Sequence, residues 1–343
     1  MNIGMSAAAR FDVAIVRLSQ LLQRPPGFRK HASAAQRLAW LELTAQAYSR
    51  VDPAVFYAEP PVPRMSQRQV RADVVDLTWE SGWVPHDPGV RADYLRFSEN
   101  RIAHARLLRH KQPRPAIVCI HGYRAGVHRF EEVAWSARWL HQRLGLDVAL
   151  LTLPFHALRA PRGRLSPVFP SRHTGRTVEG FGQAVWDART LLRWLRERGA
   201  PLAGVAGMSL GGYTTALLAT VEPRLDWAVP FIPLGDLTDV AIEHEELRTG
   251  VVSSGQLREA GKRALQLVAP LDRKPVIAGE KMLVVAAEAD RITRLDTHAA
   301  RLAEHFHAPL VTFPGGHLIQ LGRRAGLRAM AQLLARAGAL PRR

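Results

Sequence analysis

The sequence predicts an α/β protein built on a doubly wound, mostly parallel sheet, and three observations carry that expectation. Short apolar runs alternate with amphipathic helical patterns from about residue 74 to the end, the order that a parallel sheet with crossover helices imposes. One run, Ala116-Ile117-Val118-Cys119-Ile120, is apolar at every position, as a central strand covered on both faces must be. By length alone, the 343 residues allow two domains or one large α/β domain, with ample chain to build a core.

Residues 1–72 read as a helical extension packed on that core. Phe11, Ile15, Leu18 and Leu22 recur at i, i+4, i+7 and i+11, and Leu38, Leu41, Ala45 and Tyr48 form a second stripe behind a Ser33 cap. Each segment therefore offers one apolar face. The polar face of the first mixes Asp12 and Gln20 with basic residues, which favours packing over a membrane surface. Pro60, Pro61 and Pro63 then stop helix formation.

Residues 73–343 form the α/β domain. Strands are expected at 74–79, 100–108, 116–120, 146–153, 202–206, 227–234, 282–287 and 310–313, and helices at 130–144, 177–198, from 210, 294–306 and 324–337. Two connections are long, 154–176 and 236–276; the second reads as a helical insert or lid.

Cys119 is the one cysteine, which excludes a disulfide framework and a cysteine-based zinc module. The 47 Lys+Arg against 30 Asp+Glu give +17, a balance that in isolation points to nucleic acid or an anionic membrane. Five of those 47 cations are lysines, leaving 42 arginines, and they are spread along the chain without a block of like charges. The charge thus reads as solvated surface, and a nucleic-acid partner is not expected. No stretch approaches the roughly 20 apolar residues of a membrane span, and Arg10, Asp12 and Arg17 interrupt the N-terminal apolar residues. The cytoplasm is the expected compartment. His305-x-His307 has no supporting carboxylate pattern, and no metal is assigned to it.

The chemistry is carried by Gly207-Met208-Ser209-Leu210-Gly211, which sits between an apolar strand and a helix. A serine on such a turn takes a strained, positive φ, and the turn closes only without side chains two residues to either side. A serine hydroxyl needs a base, and the base needs a carboxylate to orient it. His317 follows the last strand in Pro314-Gly315-Gly316-His317, and Asp290 ends the run from Met282, giving the order Ser, Asp, His. Glu288, Asp236 and Asp239 are the alternatives for the acid. Donors to an oxyanion are expected from the N–H of Leu210 and, in the loop His121-Gly122-Tyr123, from that of Tyr123. His121, Gly122, His156 and Arg159 are candidate substrate contacts. His121 is better suited to a structural hydrogen bond than to a second base. The loop 154–176 also carries Arg162, Arg164, Arg172, Arg176 and His173, which could reach an anionic group if they are not simply solvated. Tyr123, Phe155 and Trp186 could wall an acyl pocket or belong to the core.

The buried strand followed by His121-Gly122, the Ser209 elbow, the strand-end Asp290 and the late Gly315-Gly316-His317 together resemble the α/β-hydrolase superfamily over about residues 113–320. Within it, Leu153-Pro154-Phe155-His156 with its Arg-rich loop and the helix before the elbow are similar to a subgroup of hydrolase-domain proteins with poorly defined substrates. The resemblance implies an α/β-hydrolase fold with an eight-stranded, mostly parallel sheet, and serine esterase or lipase-like chemistry without a cofactor on a small-molecule ester or acyl substrate. An acyltransferase or peptidase would use the same residues, and a binding protein could keep the fold with a disused site. The single His-Gly departs from the His-Gly-Gly-Gly form of many lipases, and the N-terminal extension is not part of the common core.

Overall fold

The computed structural model describes residues 7–14, 33–163, 167–171, 173–242 and 255–340. Nine strands form one sheet: β1 Ser66–Arg71, β2 Val74–Glu80, β3 Ile102–Leu108, β4 Ala116–Ile120, β5 Asp147–Leu151, β6 Ala203–Met208, β7 Ala228–Phe231, β8 Val284–Ala287 and β9 Leu310–Phe313. Their spatial order is β1-β2-β3-β5-β4-β6-β7-β8-β9. The first three pair antiparallel, β3 meets β5 antiparallel, and all pairs from β5 to β9 are parallel.

Alternation along the strands divides the interior into two cores, one on each face. In β4, Ala116, Val118 and Ile120 join one core, and Ile117 and Cys119 the other. Both faces are covered, which is why the run is apolar throughout. The first core is capped by helices Thr174–Glu197 and Leu210–Leu218, the second by Trp135, Ala137 and Leu140 and by helix Arg324–Arg336. In helix Thr174–Glu197 the expected stripe Val178, Phe181, Val185, Ala188, Leu192 and Leu195 is buried. Helix Ala34–Tyr48 begins with the expected Ser33 cap, completed as a capping box by Gln36. Arg263 on helix Gly255–Leu265 forms an ion pair with Glu42 on helix Ala34–Tyr48. Of the connection 236–276, residues 243–254 lie outside the described residues.

The sheet has nine strands where eight were implied. The extra one, β1, reads Ser-Gln-Arg-Gln-Val-Arg and is exposed along nearly its whole length, so no apolar alternation marks it. The expected helix 130–144 is broken: Ser136 takes φ +51°, and a π-helical turn at Trp139–Arg143 follows. In the helical segment 7–14 the expected stripe is also rearranged. Phe11 is 42% exposed, while Ala8 and Asp12 are buried. Ile15, Leu18 and Leu22 lie outside the described residues. Among the described residues no helix is long and apolar enough to cross a membrane.

Candidate active site

Where β4 and β6 lie side by side, the chain leaves β4 toward β5 on one flank and leaves β6 toward β7 on the other. In open parallel sheets the crevice beyond the carboxyl ends of strands at such a reversal is where ligands bind. Ser209 follows β6 there, with φ +54° and ψ −112°, a conformation that costs a non-glycine residue about 1–3 kcal/mol. The flanking glycines make this turn possible. A Cβ on Gly207 would lie 2.0 Å from the Gly211 carbonyl oxygen, and one on Gly211 would lie 2.1 Å from the Ile120 carbonyl oxygen.

The loops after β8 and β9 bring Asp290 and His317 to the same edge. His317 Nε2 lies 2.9 Å from Ser209 Oγ, and His317 Nδ1 lies 2.7 Å from Asp290 Oδ2. With Nδ1–H donating to Asp290, Nε2 is left free to accept the Ser209 hydroxyl. Asp290 Oδ1 accepts the N–H groups of Ile292 and Thr293, and Oδ2 accepts the Thr293 hydroxyl at 2.9 Å. The carboxylate therefore caps the turn after it as well as facing the imidazole. Burial disfavours the charged form of His317, but the charge and hydrogen bond of Asp290, with a smaller contribution from Asp12, raise its pKa above the ordinary imidazole range. Burial likewise opposes the Asp290 charge, yet His317 and the two backbone donors hold its carboxyl below the usual carboxylate range.

The loop after β4 packs directly on the elbow, since a Cβ on Gly122 would meet Ser209 Cβ at 3.4 Å. Among the described residues neither the Leu210 nor the Tyr123 N–H has an acceptor. His121 is a structural hydrogen-bonder: Nδ1 donates to the Gly122 carbonyl at 2.7 Å and Nε2 accepts the Leu153 N–H at 3.0 Å. Burial holds its pKa well below the ordinary range, so the ring is neutral. His156 donates through Nδ1 to the Pro154 carbonyl and packs between Tyr123 and Phe169; burial brings its pKa down to about 4.

Arg159 is not a substrate contact. It is 0% exposed and donates to Asp187 at 2.8 Å and to the carbonyls of Thr152 and Asn100. The rest of the arginine-rich loop is similarly committed or solvated. Arg176 pairs with Asp93, Arg162 points into solvent near Glu99, and His173 caps helix Thr174–Glu197. Arg164 and Arg172 lie outside the described residues. Phe155 is core, packed on Tyr94 and Phe97, and Trp186 meets Trp83 edge to face. The alternative acids are engaged elsewhere: Glu288 accepts from Thr312, Asp236 from the backbone of Thr238, and Asp239 from Arg258 and Arg301.

Two contributors were missed at the sequence level. Thr293 is the first, although Asp290-x-x-Thr293 is a legible capping spacing. Asp12 is the second: Oδ2 accepts the His317 N–H at 2.7 Å, and Oδ1 accepts the Leu318 N–H at 3.1 Å. At the other end of the sheet, His110, His141 and Asp147 bring donor atoms within 4.8 Å of one another. There Asp147 accepts both the N–H and Nδ1–H of His110, and His141 Nδ1 meets the Leu146 carbonyl, so the group ties down the start of β5.

The family model described as alpha/beta hydrolase domain containing 18 matches residues 92–241. The chain is 33% identical to Rv2627c of Mycobacterium tuberculosis over 91% of its own length and 77% of that protein's. Acetyl xylan esterase from Paenibacillus sp. R4 is similar in fold, with a TM-score of 0.57 at 15% identity over 94% of this chain and 99% of its own. Acetyl xylan esterase 1 from Thermoanaerobacterium sp. JW/SL YS485 is too, with a TM-score of 0.56 at 15% identity over 87% and 93%.

Proposed function

Because the chain belongs to the α/β-hydrolase family, we propose that it is a cofactor-independent serine hydrolase acting on a small-molecule carboxylic ester. The observation that carries this is the relay from Ser209 Oγ to His317 Nε2 at 2.9 Å and from His317 Nδ1 to Asp290 at 2.7 Å, on a serine held at φ +54°. His317 takes the Ser209 proton as Oγ attacks the ester carbonyl. The N–H groups of Leu210 and Tyr123 receive the oxyanion, each such donor accounting for about 10²–10³ in rate. His317 then returns its proton to the leaving alcohol. Water, deprotonated by the same nitrogen, attacks the acyl-Ser209 ester, and the His317 imidazolium returns that proton to Ser209 Oγ as the acid leaves. Asp290 keeps the imidazole in the required tautomer and stabilises the imidazolium. A carboxylic ester is favoured over a phosphoester or other anionic substrate because the described arginines of 154–176 are buried, paired or solvated.

The test is labelling with a fluorophosphonate probe. Wild-type protein is expected to form a covalent adduct that Ser209→Ala abolishes; a folded wild type that stays unlabelled overturns the proposal. A series of p-nitrophenyl esters of rising acyl length then reports the acyl preference.

A further inference from the structure

A carboxylate buried to 0% exposure is one of the costlier groups to place in a protein, and it persists only where hydrogen bonds replace its water. Asp12, on the helical segment 7–14, sits in that state directly beneath the loops after β8 and β9. Among the described residues its three donors are backbone N–H groups of the two loops: His317 at 2.7 Å and Arg291 at 3.4 Å on Oδ2, and Leu318 at 3.1 Å on Oδ1. Arg291 follows Asp290, and Leu318 follows His317. One carboxylate thus joins the loop of the base to the loop of the acid.

The loop itself supplies a second observation. Gly316 has an ordinary negative-side backbone, so nothing in its own conformation calls for glycine. What excludes a side chain is the docked segment: a Cβ there would lie 2.7 Å from Asp12 Oδ2 and 3.3 Å from Ala8. Pro314-Gly315-Gly316-His317 is a loop with two adjacent glycines, the residue type with most backbone freedom to lose. A tether from outside the loop is what such a sequence needs if His317 is to be held to a fraction of an ångström.

We infer that Asp12 is a positioning residue of the active site, and that the N-terminal segment works as a clamp holding the His317 and Asp290 loops in catalytic register. This rests on the serine-hydrolase function proposed above. Asp12 touches no reacting atom; it acts through the main chain of His317 and through its negative charge near the imidazole. Among the described residues the charged groups facing Asp12 are His317 and Asp290, and those facing His317 are Asp290 and Asp12.

The test uses the full chain and the rate of Ser209 labelling by a fluorophosphonate as a function of pH. Asp12→Asn keeps the side-chain size, removes the charge and turns one acceptor into a donor. It is expected to fold and to label about tenfold to a hundredfold more slowly, the range that small displacements of a catalytic group cause. The acidic limb of its pH profile is expected at lower pH, because a negative charge that favoured the imidazolium is gone. Gly316→Ala, which crowds the carboxylate from the loop side, is expected to reproduce the rate loss. The double variant Asp12→Ala/Gly316→Ala should label no more slowly than Asp12→Ala alone. Wild-type rate and an unshifted limb in folded Asp12→Asn overturn the inference, as does full additivity in the double variant. If Asp12→Asn does not fold, Gly316→Ala decides, and a folded protein with wild-type labelling overturns the clamp. If the wild type itself is unlabelled, the hydrolase proposal fails separately. The low-field proton resonance of the His317–Asp290 hydrogen bond then decides: its loss in Asp12→Asn supports the clamp, and an unchanged resonance overturns it.

Discussion

In the proposed mechanism the His317 imidazole alternates between base and acid and must keep its far nitrogen fixed, a task that falls to an oxygen that is itself immobilised. Asp290 Oδ2 is held by the Thr293 hydroxyl while Oδ1 is held by two N–H groups. The carboxylate cannot rotate without breaking bonds that its protonated form would weaken. Replacing it as Asp290→Asn puts an amide where an acceptor is required, favours the wrong tautomer and is expected to lower kcat by about 10⁴. In the wild type, kcat/KM is expected to rise with pH along a limb lying above the ordinary imidazole value of 6.5, because Asp290 and Asp12 raise His317. A limb at or below that value, measured on any ester that turns over, contradicts this electrostatic picture. At this scale the sequence was generous where chemistry forces residue types. Ser209 between two glycines, Asp290 at a strand end and His317 after Gly-Gly were all legible. Asp12 was not, because one carboxylate on an amphipathic segment looks solvated until the loop donors it meets about 300 residues later are known.

Elements were legible in proportion to how completely they are buried. β4 is apolar at every residue because two cores cover it, whereas β1, polar and at the sheet edge, leaves no periodic trace. The break at Ser136 could not be read either, since its positive φ falls on a residue that carries no turn signal of its own. The arginine-rich connection after β5 misled in a different way. Arg159 occurs in a loop, where arginine is normally solvated, yet it is the buried rivet between that loop and helix Thr174–Glu197. Asp187, its partner, also accepts from Ser81 at 2.6 Å, and burial raises the Asp187 carboxyl against the opposing pull of Arg159. Removing only the cation strands a buried carboxylate, so Arg159→Ala is expected to lower stability by about 3–5 kcal/mol. Its partner substitution sets the scale. Arg159→Met with Asp187→Leu removes both charges while keeping the volume, and it should recover most of the loss in urea denaturation. Equal destabilisation by the single and double variants contradicts the stranded-charge account.

For the molecule as a whole, the N-terminal segments meet the α/β core at charged or polar groups that burial has made sensitive to pH. Asp12 is one; Glu179 is another. The Glu179 Oε1 atom accepts the Tyr48 hydroxyl at 2.7 Å from helix Ala34–Tyr48, and the N–H groups of His86 and Asp87. Burial, partly offset by these donors, lifts its carboxyl pKa from 4.5 to about 7. Folded protein therefore keeps a proton that the unfolded chain has shed. The stability this contributes is complete below pH 4.5 and is lost as pH rises toward about 7, a change on the order of 3 kcal/mol. His317, also raised, adds a loss of the same sign at higher pH. Asp290, Asp76 and Glu222, all lowered, weaken the fold in the opposite direction, on acidification. Glu179→Gln isolates the first of these effects, since a neutral amide keeps the acceptor for Tyr48 and has no proton to lose. Relative to wild type it is expected to gain stability progressively between pH 5 and 8, as read from urea midpoints at each pH. Parallel curves for the two proteins over that range would mean that Glu179 enters the folded state already ionised, and that the junction between helix Ala34–Tyr48 and the core tolerates its charge.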